Sequence, residues 1–96
     1  MTVLTLTSSR KRSLRPLVEA ALSNELRVIQ AGIRRTEQRL KAFESQYGLS
    51  SQEFLHRYEN DEFAETLDFA EWVGEYRLLE RLHEKAETLQ EIRFAN

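Results

Sequence analysis

Leu22, Leu26, Ile29, Ile33, Thr36, Leu40, Phe43 and Tyr47 follow one another at steps of four, three, four, three, four, three and four. With 3.6 residues per turn, such steps return to one face of a helix and to no regular face of a strand. Between Pro16 and Gly48 nothing in the sequence breaks a helix. The pattern therefore predicts one continuous helix from about Ser13 to Tyr47, roughly 50 Å long at 1.5 Å per residue. Pro16 suits its first turn, where the missing N–H has no partner to lose. Ser13 is the expected N-cap, and Gly48 the expected left-handed residue that ends the helix. Gly32 sits inside this helix at a cost of about 1 kcal/mol relative to alanine, which suits a close approach of another helix.

Three glycines and one proline among 96 residues leave little room for turns, and 41% apolar with 31% charged residues suits an all-α chain of few, long helices. "SSQE", Ser50–Glu53, is a capping box, with Leu49 and Phe54 at the staple positions. It starts a short second helix, about Ser51 to Tyr58, that presents Phe54, Leu55 and Tyr58. A turn is expected near Asn60–Asp61. A third helix follows, starting between Asp61 and Asp68 and running to about Arg93, with Phe69, Trp72, Val73, Tyr76, Leu79, Leu82, Ala86 and Leu89 at helical spacing. The expected fold is an antiparallel helical hairpin: a long first helix, a short second and a third, preceded by a strand-like segment. Residues 1–12 form an arm and 13–96 a single helical domain. Leu14, Leu17, Val18 and Leu22 extend beyond what one hairpin partner covers. The stripe also has the spacing of a coiled-coil seam, so a homo- or hetero-oligomer is expected.

The arm itself alternates. In "TVLTLT", Leu4 and Leu6 point one way and Val3, Thr5 and Thr7 the other, as in a short strand. A lone strand needs a second edge. No other strand-like run is evident, so the edge is expected from a second copy or another protein, or the segment stays disordered. Basic residues follow: Arg10, Lys11, Arg12 and Arg15. Such an arm binds phosphates without reading sequence, which opens the alternative of a nucleic-acid-binding transcriptional regulator. Residues 1–41 carry a net charge of +6 and residues 42–96 one of −8. That asymmetry suits either a basic arm laid along an acidic one or two faces with different partners.

No Cys is present, which removes disulfides and thiolate metal sites. No apolar run approaches the length of a membrane span, and the start lacks the charge order of a secretory signal, so a cytoplasmic protein is expected. No phosphate loop, nucleophile elbow or Ser/His/Asp grouping occurs. Two Glu-x-x-His units do occur, Glu53 to His56 and Glu80 to His83. Di-metal helical bundles use this unit twice, but they also need a glutamate from each of two further helices. The first helix offers Glu19, Glu25 and Glu37, and Glu53 already has a capping role, so the metal bundle ranks below the other readings. Neither a catalytic site, a metal nor a cofactor is expected. Phe69, Trp72 and Tyr76 lie on the acidic third helix; they are expected either in the core or, as aromatic anchors, at an interface.

The stretch from Ile33 to Leu82 resembles a group of small prokaryotic antitoxin-like helical proteins. The likeness rests on Phe43, Glu44, Tyr47, Gly48, Ser50, Glu53 and Phe54, then Glu71 and Trp72, with Leu49 where the pattern has Met. The acidic turn of that pattern carries a glycine, whereas "ENDEFAETLD" has none. The resemblance covers about half the chain. It implies a non-enzymatic type II antitoxin that binds and neutralises a small ribonuclease-like toxin. For such a binder the expected partner-binding residues are Phe69, Trp72 and Tyr76 on the acidic third helix, with Leu4 and Leu6 of the strand-like segment adding to a partner's sheet edge.

Overall fold

The computed structural model describes residues 2–5, 7 and 14–94. In chain order these form β1 (Thr2–Leu4), α1 (Arg15–Tyr47), α2 (Ser51–Glu59), α3 (Leu67–Gln90) and β2 (Ile92–Phe94). The helical hairpin forms as expected. α3 runs back along α1, and α2 closes the corner between them. Each helix end has a local cause. α1 begins at Arg15 with Pro16 in its first turn and without a side-chain cap; Ser13 lies outside the described residues. It ends at Gly48, whose φ of 67° lets its N–H reach back to the Glu44 carbonyl. α3 is capped by Thr66, whose hydroxyl accepts from the Phe69 N–H at 3.1 Å.

Half of the capping box at the start of α2 is present: Ser50 Oγ accepts from the Glu53 N–H at 3.1 Å. The carboxylate that meets the open N–H groups there belongs to Glu44 of α1, which accepts from the Ser51 N–H at 2.8 Å. Ser50→Ala is expected to lower stability by about 1 kcal/mol, the usual loss for an N-cap, read as a lower midpoint in chemical denaturation.

The acidic turn contains no glycine, and Asp61 is its left-handed residue. Its φ is 57°, a left-handed value that Asp tolerates better than most residues. Arg57 braces the turn. It pairs with Glu62 at 3.1 Å, and its guanidinium lies 4.9 Å from the centre of the Phe63 ring.

Two expectations need correction. The third helix stops at Gln90, not near Arg93. The residues beyond it form β2, which pairs in parallel with β1 in the register Thr2↔Ile92, Val3↔Arg93 and Leu4↔Phe94. The edge for the N-terminal strand thus comes from the chain's own other end. Three residues are too few for period-two alternation to show, and Glu91, Ile92 and Arg93 continue a helical reading without a breaker.

Candidate interaction surface

The aromatic residues of the corner face inward. Trp72 is fully buried. Its ring stacks on Phe54 at 3.9 Å between centroids with a 2° tilt, and Phe43 and Tyr47 lie at 5.5 and 5.7 Å. Phe69 touches Tyr47, Phe54 and Phe63, and Tyr76 packs against the same core. Trp72 therefore offers no surface to a partner of the folded chain, a correction to its reading as an interface anchor; Phe69 and Tyr76 are half-buried beside it. Leu4 is half-buried in β1, whose pairing is with β2. Leu6 lies outside the described residues.

A buried polar relay fixes this corner. The Trp72 Nε1–H donates to Ser51 Oγ at 2.9 Å, and the Ser51 hydroxyl donates to a Glu44 carboxylate oxygen at 2.8 Å. One indole N–H is thereby satisfied by α2, and α2 by α1, so all three helices meet in one set of hydrogen bonds. Most residues that carry the antitoxin-like pattern build this corner: Phe43, Tyr47, Phe54 and Trp72 are its rings, Glu44 and Ser50 its caps, Gly48 its turn.

Two tyrosines tie the corner to the acidic turn. Tyr47 Oη–H donates to Asp68 at 2.6 Å, and Tyr58 Oη–H to Glu65 at 2.6 and 2.7 Å. Both phenols are raised above their ordinary value near 10, first by those hydrogen bonds, then by burial and by the neighbouring carboxylates. A raised folded value means that the native state holds the proton longer than the unfolded chain. The bonds thus contribute fully below pH about 10 and are lost as pH rises past it. An ultraviolet titration should show tyrosines ionising later than free tyrosine, and Tyr47→Phe and Tyr58→Phe should each remove one late-titrating group.

What remains outside is distributed unevenly. Leu67 at the start of α3 is 76% exposed, Leu17 and Val28 of α1 are 69% and 58% exposed, and Val3 of β1 is 58% exposed. Residues 37–75, the corner end, hold three basic and ten acidic residues, a net charge of −7; the remainder of the chain carries +5. Arg39 and Arg57, two of those three cations, already pair with Glu75 and Glu62. The molecule measures 61 × 22 × 17 Å, and this acidic block forms its corner end. Leu67 stands at the acidic end, with Glu65, Asp68 and Glu71 as near neighbours in sequence.

Of the basic arm, Arg10, Lys11 and Arg12 lie outside the described residues. Arg15 is described and pairs with Glu19 at 2.7 Å. Glu80 pairs with Arg77 at 3.2 Å, and both histidines are exposed. Among the described residues no three His, Asp or Glu side chains converge as metal ligands, and no helix is long and apolar enough to cross a membrane. Comparison with protein-family models, with curated proteins and with solved structures finds no match to this chain.

Proposed function

We propose that this chain is a non-enzymatic protein-binding module that neutralises a small, basic, ribonuclease-like toxin by covering it. The observation that carries the reading is Leu67: a leucine 76% exposed at the acid-rich corner of a hairpin whose Trp72 and Phe54 are fully enclosed. An apolar anchor within a charged rim is the anatomy of a protein interface, and the acidic rim selects a basic partner and speeds its encounter. Val3 on β1 supports a second contact, because the outer edge of a short strand takes up an extended segment of another chain. The antitoxin-like pattern adds the class of partner.

Affinity capture from the native host, at low and at high salt, tests this. A small basic protein that cleaves RNA should come down with the chain, and Leu67→Arg should release it without lowering the melting temperature. Capture that Leu67→Arg leaves unchanged would remove this surface from the proposal. Recovery of DNA alone, lost steeply with salt, would favour the nucleic-acid-binding regulator instead.

A further inference from the structure

The side of α1 turned away from α3 repeats every seven residues. Arg27, Arg34 and Lys41 form one row, and Asn24, Ala31, Gln38 and Ser45 form the row beside it. All seven are exposed. A step of seven turns a helix by only about 20°, so each row runs nearly straight, with its members roughly 10 Å apart. Arg35, also exposed, borders the second row from its other side, so Ala31 and Gln38 lie between Arg34 and Arg35.

The carboxylates of α1 lie elsewhere. Glu19 pairs with Arg15 near the start of the helix. Glu25 lines the groove with α3 on one side, and Glu37 and Glu44 line the groove on the other. Among the described residues, none of Arg27, Arg34, Arg35 and Lys41 has an ion pair. Arg27 donates to the Asn24 amide oxygen at 3.2 Å, which leaves its charge unneutralised. Four such cations on one helix face repel one another in the free protein and attract a polyanion.

We infer that this face binds the backbone of an RNA duplex, with Arg27, Arg34, Arg35 and Lys41 on phosphates and Asn24 and Gln38 within reach of 2′-hydroxyls. Three of the four cations are arginines, whose planar fork suits phosphate oxygens. The small and amide side chains between them let the helix lie close. α3 decides which duplex fits. It holds six acidic and three basic residues, a net charge of −3. Packed helices lie only about 8–10 Å apart. The major groove of B-DNA is roughly 8.5 Å deep, so seating α1 on its floor would bring α3 level with the phosphate walls, where like charges repel. The minor groove of A-form RNA is wide and shallow, so α1 rests on it with α3 held clear. An anionic bilayer offers the same charge, but from Asn24 to Ser45 the exposed face has Val28 as its one large apolar side chain, too little to enter a membrane interface. The face is separate from the Leu67 corner, so either surface can fail its test alone.

Fluorescence anisotropy with a labelled RNA duplex of about 16 base pairs tests this, in a background carrying Arg10→Gln, Lys11→Gln and Arg12→Gln so that the N-terminal arm does not contribute. The slope of log K against log salt should be near −0.9 for each phosphate held, thus about −3 to −4. Arg34→Gln and Lys41→Gln should each make the slope shallower by about one. The double variant should bind about tenfold more weakly at low salt with an unchanged melting temperature. A DNA duplex of the same sequence should bind less tightly. No RNA binding in that background, equal or tighter binding of the DNA duplex, or a slope untouched by Arg34→Gln and Lys41→Gln would each overturn the proposal. So would adsorption to phosphatidylglycerol vesicles stronger than binding to RNA.

Discussion

Replacing Trp72 with alanine is expected to destabilise the protein by about 3–5 kcal/mol, the loss typical of an aromatic side chain removed from a packed core. The indole is fully buried, and it is the ring on which Phe43, Tyr47 and Phe54 converge from α1 and α2. Its removal opens a cavity at the place where three helices meet, so no single element can move in to fill it. In a domain of this size each kcal/mol is worth roughly 4–8 °C, so the melting temperature should fall by tens of degrees. Thermal unfolding followed by circular dichroism checks this. A fall of only a few degrees would show that the corner repacks.

The second large effect is expected at Ser51. Ser51→Ala removes the acceptor of the Trp72 N–H and one donor to Glu44, leaving a buried indole N–H without a partner. Such a group costs about 1–3 kcal/mol. The side chain itself is small and sits in the first turn of α2, so little packing is lost with it. The double variant separates the causes. In a Trp72→Phe background there is no N–H to strand, and Ser51→Ala should then cost clearly less than in the native protein. Equal costs in both backgrounds, measured by urea denaturation, would show that the hydroxyl serves Glu44 and not the indole.

The helices were legible because each rests on local chemistry. Pro16 and Gly48 bound α1, Ser50 opens α2, and steps of three and four mark the buried faces. The turn at Asn60–Asp61 was also legible, although nothing in the sequence marked Asp61 as its left-handed residue. β2 was not legible, because its three residues take their conformation from β1 across the length of the chain. The direction of Trp72 was open for a different reason. Periodicity says which residues share a face, and only tertiary packing says whether that face meets this chain or another. Leu67 went unnoticed because it begins α3 without belonging to the helix's apolar stripe. Its exposure follows from where α2 turns the chain, which no local pattern records.

The pairing of β1 with β2 has a consequence for folding order. It joins positions some ninety residues apart in sequence, whereas the α1–α3 hairpin closes through a short corner. Loop-closure entropy makes such a distant contact unfavourable until the helices have brought it near. The strands should therefore zip last and open first. Their amides should exchange with solvent through a partial opening that leaves the Trp72 corner intact, while amides near Trp72 exchange only with global unfolding. A partner that needs the edge of β1 would then meet two populations, paired and opened, and its rate of capture would carry the rhythm of that opening.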